Sequence, residues 1–339
     1  MIRLGINGFG RIGRRVLRLA LEHPQVEVVA INDLADALTL SHLLKYDSIH
    51  GVLDKEVSHD SSHIGVDGHS IPLINQNHPS NIDWTPYDVD VVIEATGKFK
   101  KREELQHHID NGASQVILSV PSMDESIKTI VLGVNDDILD GSEKIISNAS
   151  CTTNNAAPMI DLMHQAFGVK QAYITTIHSY TTDQSLHDQP HRDLRRARAA
   201  GQSIVPTTTG AAKALTKIFP ELSESIGGCG IRVPVANGSL TDITFNVKKD
   251  DVSIEEVNAL FKKASNSNLK GILQYTKDPI VSIDIVGNPH SCIFDAQMTS
   301  VIGNMVKIIG WYDNETGYSS RILDLICNLS DKKGRLSNK

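Results

Sequence analysis

One cysteine of this chain sits in surroundings suited to reaction. Cys151 lies in Ser147-Asn148-Ala149-Ser150-Cys151-Thr152-Thr153-Asn154, at the start of a helix expected to run to about Phe167. A thiol at a helix N-terminus has its thiolate stabilised by the dipole. Small hydroxyl residues on both sides suit a polar pocket better than a core. His178 follows at the end of an expected strand over 172–177. A Cys–His pair is the minimal apparatus for covalent catalysis at a carbonyl carbon. Cys229, Cys292 and Cys327 have no such setting and read as packing residues.

A second constellation binds. Gly8-Phe9-Gly10-Arg11-Ile12-Gly13 has the G-x-G-x-x-G spacing, where a strand ends and a helix begins. The first glycine makes the tight turn, and the second lets the backbone approach a pyrophosphate. The third allows close helix–strand packing, and the helix N-terminus faces the phosphates. Asp33 ends the next strand, where a carboxylate takes the ribose hydroxyls of a dinucleotide. That carboxylate repels a 2′-phosphate, and Leu34 follows it with no adjacent Arg, so NAD is favoured over NADP.

The elements that must position these residues follow from periodicity. Residues 2–7 read as a short buried strand. Ile12, Val16, Leu19 and Ala20 recur at helical spacing, and 26–31 is a second, β-branched strand. Residues 38–44 look helical, and Asp67-Gly68 signals a hairpin. Residues 89–95 and 116–120 are expected buried strands flanking a charged helix from Lys101 to about Asn111, and 130–134 and 145–146 continue the alternation. This pattern predicts an α/β fold: a Rossmann-type doubly wound parallel sheet. Beyond Ser147 the strands lengthen and alternate in polarity, as over 239–247 and 305–309, which predicts an α+β catalytic domain with a large, mostly antiparallel sheet. The expected domains are 1–150 and 151–316, with a helix at about 317–330 packing back on the first and a polar tail from Asp331. The polar stretch between His178 and Pro206 is long for a loop inside a domain, which marks a functional segment or an interface.

Composition excludes several alternatives. The 339 residues are 40% hydrophobic and 22% charged, enough apolar material for large cores. The net charge of −7 argues against a chain built to bind nucleic acid or an anionic membrane. Four scattered cysteines with no C-x-x-C pair make neither a disulfide framework nor a structural zinc site. No apolar run is long enough to span a membrane, and the N-terminus lacks a signal-peptide pattern, so a cytoplasmic location is expected.

Ten segments together resemble the phosphorylating glyceraldehyde-3-phosphate dehydrogenases over nearly the whole chain. In order they are GINGFGRIGR at 5–14, ND at 32–33, HLLKYDS at 42–48, EATGKF at 94–99 and SNASCTTN at 147–154. HSYTTDQ at 178–184, HRDLRRARAA at 191–200, TTTGAAKA at 207–214, IRVPVAN at 231–237 and WYDNETGYS at 311–319 complete the set. The resemblance implies NAD-dependent oxidation and phosphorolysis of a triose phosphate. Cys151 would form a thiohemiacetal and then a thioester, with His178 holding it as thiolate and acting as base. Gly8, Gly10, Arg11, Ile12, Gly13, Asp33 and Ser119 match NAD-contacting positions, Asn314 the residue orienting the carboxamide, and Tyr318 the aromatic beside the nicotinamide. Thr181, Arg196 and Arg232 match the grip on the substrate's phosphate. Ser150, Thr152, Thr209 and Gly210 match the site of the attacking inorganic phosphate. Arg195 and Arg198 complete a basic run that reads equally as a solvated face or subunit contact. A homotetramer is implied, with 179–204 reaching toward a neighbouring cofactor site. No metal, membrane or dedicated nucleic-acid site is expected.

The chain departs from the family pattern at Asn155, Asn77, Gln189 and the Val235-Ala236-Gly238 run. Two other functions compete. A relative acting on erythrose 4-phosphate usually lacks TTTGAAKA, which is intact here. A non-catalytic nucleotide- or RNA-binding protein on the same scaffold would not need Cys151, His178, Arg232 and Asn314 together.

Overall fold

The computed structural model describes residues 1–337. The chain divides into two compact units, described separately below. The first contains Met1–Ile130, Asp136–Ala149 and the chain from Ser319 on; the second contains Val131–Asn135 and Ser150–Tyr318.

The first unit is built on a nine-stranded sheet. Its strands are β1 (Ile2–Asn7), β2 (Val26–Asn32), β3 (Val57–His59), β4 (His63–Val66), β5 (His69–Ile74), β6 (Val91–Glu94), β7 (Gln115–Leu118), β8 (Lys128–Thr129) and β9 (Ile145–Ser147). They lie in the order β8-β9-β7-β6-β1-β2-β5-β4-β3. β1 pairs in parallel with β2 on one side and β6 on the other, so the winding reverses at β1. A crevice opens at the carboxyl ends of the strands at such a point. Runs such as Val91–Glu94 and Gln115–Leu118 are buried throughout, as expected of strands covered on both faces. Helix α1 (Arg11–Ala20) follows β1 directly, α2 (Ala37–Lys45) is capped by Asp36, and α3 (Arg102–Asp110) sends Leu105 into a core with Val92, Val116 and Leu118. The Asp67-Gly68 turn has positive φ at both residues (48° and 80°), the geometry of a two-residue hairpin.

Two expectations are corrected here. Residues 130–134 are not a strand: β8 ends at Thr129, and Val131–Val134 make a turn around Gly133, whose φ is +79°. Ile130, Val131 and Leu132 are buried, so the apolar run was real but serves a turn. Nor does a polar tail begin at Asp331, because α7 spans Thr316–Ser337. Lys332 Nζ anchors its last turns by donating to the carbonyls of Asp136 and Leu139, at 2.5 and 2.9 Å. The last two residues of that expected tail, 338 and 339, lie outside the described residues.

The second unit holds β10 (Val169–Ser179), β11 (Val205–Thr207), β12 (Ile226–Val233), β13 (Ser239–Val247), β14 (Leu273–Thr276), β15 (Cys292–Asp295), β16 (Ser300–Ile302) and β17 (Met305–Tyr312). The sheet order is β11-β12-β10-β13-β17-β15-β14, with β16 on β17. Pairings are antiparallel except β10–β12 and β14–β15. The parallel register of β10 on β12 sets His178 beside Arg232. Helix α4 (Cys151–Phe167) is buried along most of its length and stops at Gly168, which takes the left-handed conformation at φ +66°; α5 (Ala211–Ile218) and α6 (Ile254–Ser265) follow it.

Candidate active site and dinucleotide groove

In the first unit the glycine loop has the geometry a bound pyrophosphate needs. Gly8 has φ +94°, and a Cβ there would lie 2.7 Å from the Thr96 nitrogen. A Cβ on Gly13 would lie 2.2 Å from the Gly8 carbonyl oxygen, so only glycine allows α1 to pack there. A Cβ on Gly10 would meet nothing, which is the open side of the cradle. Asp33 is fixed at the groove by the N–H groups of Phe9 and Ala35, at 2.7 and 3.0 Å. Gly8, Gly10, Asp33, Asn77, Thr96 and Phe99 help line a cavity of about 230 Å³. The residues present therefore fit a dinucleotide.

The other expected cofactor positions in this unit divide. The Arg11 guanidinium is committed to Asp47 through two bonds of 2.7 and 3.1 Å. Burial would raise the Asp47 carboxyl, but the Arg11 bonds and the His50 and Ile49 N–H groups outweigh it and hold the group well below the usual carboxylate range. Arg11 thus offers a ligand its position in the first turn of α1, with its side chain already engaged. Ile12 is half-buried on α1, and Ser119 is buried just past β7, its N–H donating to the Glu94 carbonyl at 3.0 Å.

In the second unit Cys151 is the first residue of α4, behind the N-cap Ser150. Its Sγ lies 3.5 Å from His178 Nε2. The imidazole Nδ1 lies 2.7 Å from the Ser179 carbonyl oxygen, which can only accept. Arg232 Nη1, a donor, also lies 3.0 Å from Nδ1, but its protons have the Ser179 carbonyl and Thr181 Oγ1 as acceptors, whereas a bare Nδ1 would set two lone pairs 2.7 Å apart. The ring proton is therefore assigned to Nδ1, which leaves the Nε2 lone pair facing the sulfur. Arg232 Nη1 donates to the same carbonyl at 2.9 Å and reaches toward Thr181 Oγ1 at 3.4 Å.

Burial is the largest influence on both reacting groups, and it opposes charge on each. It pushes the Cys151 thiol above its ordinary value, although Arg232 and the Cys151 and Thr152 N–H groups pull the other way. Burial first, and then the Arg232 charge, lower His178 from 6.5 to about 3. Burial thus works against the thiolate that the resemblance implies, while the Arg232 charge works for it.

Most of the expected anion-binding side chains are already engaged within the unit. Arg196 donates Nε to Thr207 Oγ1 at 3.0 Å and Nη2 to the Thr208 carbonyl at 3.1 Å, and forms an ion pair with Asp183. Ser150 Oγ caps Thr153, and Thr209 Oγ1 accepts from the Ala211 N–H at 3.2 Å, beside an open, exposed Gly210. Thr152 Oγ1 bonds Tyr312 Oη at 2.9 Å. Asn314 Oδ1 accepts from the hydroxyls of Ser179 and Ser239, at 2.8 and 2.9 Å, and Tyr318 is buried in the first turn of α7.

Sequence reasoning missed Tyr312, Ser179 and Ser239. Tyr312 joins Thr152 to Thr176, at 2.9 Å each, with its ring edge-on to His178. The two-residue alternation of β17, which buries Val306, Ile308, Gly310 and Tyr312, was the available signal. Of the departures, Asn155 donates to the carbonyls of Ser291 and Trp311, at 3.3 and 3.2 Å. Gly238 has φ +89°, and a Cβ there would lie 2.2 Å from the Ser282 carbonyl oxygen, so this departure serves packing.

Two family models match the chain. Residues 2–102 match "Glyceraldehyde 3-phosphate dehydrogenase, NAD binding domain", and residues 150–314 match the C-terminal domain of the same family. The chain belongs to the glyceraldehyde-3-phosphate dehydrogenase family. It is 51% identical to glyceraldehyde-3-phosphate dehydrogenase 1 of Bacillus cereus over 334 residues, covering 98% of this chain and 99% of the relative. It is 53% identical to glyceraldehyde-3-phosphate dehydrogenase 2 of Streptomyces avermitilis over 327 residues, covering 96% and 97%. The Borreliella burgdorferi glyceraldehyde-3-phosphate dehydrogenase is 52% identical over 331 residues, covering 96% and 98%. NAD is thus the cofactor, its binding domain lies within residues 2–102, and the fold is the family's NAD-binding Rossmann domain followed by its C-terminal domain.

Proposed function

We propose that the protein oxidises D-glyceraldehyde 3-phosphate to 1,3-bisphosphoglycerate with NAD and inorganic phosphate. The observation that carries this reading is Cys151 Sγ 3.5 Å from a His178 Nε2 whose ring proton is held on the far nitrogen. As the sulfur adds to the aldehyde carbon, Nε2 takes the thiol proton and returns it to the carbonyl oxygen, giving a thiohemiacetal. Nε2 then takes the hydroxyl proton as the C–H electron pair departs as hydride. NAD, when bound, supplies the hydride acceptor. The thioester left on Cys151 is cleaved by a phosphate oxygen; the C–S bond breaks, the acyl phosphate leaves and the sulfur regains a proton. The Cys151 N–H at the head of α4 is the donor for the oxyanion of both tetrahedral species.

Arg232, Thr181 and Arg196 take the substrate's phosphate, and Arg196 must exchange its hold on Asp183 for that anion. Ser150, Thr152, Thr209 and Gly210 take the inorganic phosphate, through backbone N–H groups where their hydroxyls are spent. Asn314 orients the carboxamide, with Tyr318 beside it. We further propose a homotetramer, supported by apolar side chains in the open on the 180–204 loop, with Leu186 75% and Leu194 82% exposed. No helix among the described residues is long and apolar enough to cross a membrane. The four cysteines are unpaired, which supports a reducing, cytoplasmic compartment.

The test is a rate matrix of triose phosphate and erythrose phosphate against NAD and NADP, with and without inorganic phosphate. Fast turnover is expected only with triose phosphate, NAD and phosphate together. A rate indifferent to phosphate would remove the phosphorolysis step.

A further inference from the structure

Beneath the dinucleotide groove a polar chain crosses the interior of the first unit, and no step above uses it. Glu94 and His108 are both 0% exposed. The Trp84 indole N–H donates to His108 Nδ1 at 3.0 Å. An indole only donates, so Nδ1 is the acceptor and the imidazole proton sits on Nε2. Nε2 then donates to Glu94 Oε2 at 3.2 Å. The same oxygen accepts from Asn7 Nδ2 at 2.5 Å, and Oε1 accepts from the Thr96 N–H at 2.9 Å and from the Thr96 hydroxyl. Asn7 Oδ1 in turn accepts from Asn32 Nδ2 at 2.7 Å, and Asn32 Oδ1 accepts from the Gln76 N–H at 2.8 Å.

The placement of this chain gives it meaning. Asn7, Asn32 and Glu94 are the last residues of β1, β2 and β6, three neighbouring parallel strands. Asn7, Asn32, Gln76 and Thr96 line the groove beside Gly8, Gly10 and Asp33. Thr96 also sets the clearance of the glycine turn, because Gly8 packs against its nitrogen. A buried carboxyl is costly unless its partners are complete, and apolar residues could fill the same space. Here the partners join the floor of the groove to its walls.

We propose that His108 and Glu94 are positioning residues for the cofactor. The Nε2 proton of His108 fixes the Glu94 carboxyl, and the carboxyl holds Asn7 and Thr96 where the dinucleotide needs them. This rests on the groove taking NAD.

Two substitutions separate this role from simple packing. In His108→Gln the amide nitrogen reaches the place of Nε2 and keeps the bond to Glu94. In His108→Asn the side chain reaches only the place of Nδ1, so the Trp84 contact survives and the Glu94 bond is lost. Titration calorimetry of the full chain with NAD should give a Kd within about threefold of the parent for H108Q, and at least about tenfold weaker for H108N. Turnover at saturating NAD and the alkylation rate of Cys151 should be unchanged in both. Parent-like binding by H108N would overturn the proposal, as would an equal loss in H108Q. Should H108N not fold, the unmutated protein decides. With isotope-labelled histidine, the His108 Nε2–H should give a slowly exchanging resonance that moves as NAD saturates the groove. A resonance that stays put would overturn the proposal. Absence of NAD binding in the parent would instead remove the groove reading itself.

Discussion

In the first unit the candidate site is shaped by residues that have no side chain, whereas in the second it is built from the most reactive ones. The groove takes its shape because Gly8 and Gly13 let backbone approach backbone, and their places are fixed within a few residues of sequence. The cysteine site forms where Cys151, His178 and Arg232 converge from α4, β10 and β12. A backbone site tolerates no added atom, and a side-chain site tolerates no lost one. The two should therefore fail in opposite ways.

Cys151→Ser puts that contrast to its hardest test. Turnover should fall by at least about 10⁴-fold while the NAD Kd, measured by calorimetry, stays within about twofold of the parent. Substantial residual turnover would end the covalent route. Gly13→Ala is the mirror case, because its Cβ cannot share space with the Gly8 carbonyl oxygen. It should cost the first unit about 2–4 kcal/mol and abolish measurable NAD binding, with Cys151 still open to iodoacetamide. Loss of alkylation in parallel would show that the regions are not separable in this way.

Arg232→Gln sharpens the comparison within the second unit. The guanidinium favours the thiolate, so its removal should move the alkylation-versus-pH curve of Cys151 to higher pH and raise KM for the phosphorylated aldehyde. A curve that stays in place would break the electrostatic link. The smallest effect concerns acid stability. His178 titrates at about 3 in the folded chain and near 6.5 when unfolded, so between those values the unfolded state binds the extra proton. Stability should then fall as pH drops from 6.5 toward 3, and denaturant titrations of His178→Asn should show a shallower fall. Equal slopes in the two proteins would remove His178 from the acid response.

The same contrast explains what could be read from the chain alone. Glycine spacing and the Asp33 offset belong to local backbone geometry, so the shape of the groove was legible, whereas the engagement of Arg11 by Asp47 was not. The α4 start at Cys151 was legible for the same reason. The parallel register that sets His178 beside Arg232 was not, since pairing across strands far apart in sequence leaves no periodic trace. Ser179, Ser239 and Tyr312 stayed hidden because hydroxyls that serve other side chains look like ordinary strand residues. The opposing pulls on the thiol also needed the structure: the helix start was visible in the sequence, but the burial around the sulfur was not.

Ser179 shows where the two kinds of construction meet. Its hydroxyl serves Asn314, while its main-chain oxygen receives both the imidazole ring and the guanidinium. No codon change can delete that oxygen. Directed evolution can remove the hydroxyl that serves Asn314 by substituting residue 179, yet the oxygen that meets the imidazole is inherited unchanged by each such variant. Only a change to the polymer itself, such as replacing that peptide link with a weaker-accepting ester by chemical ligation, would reach it.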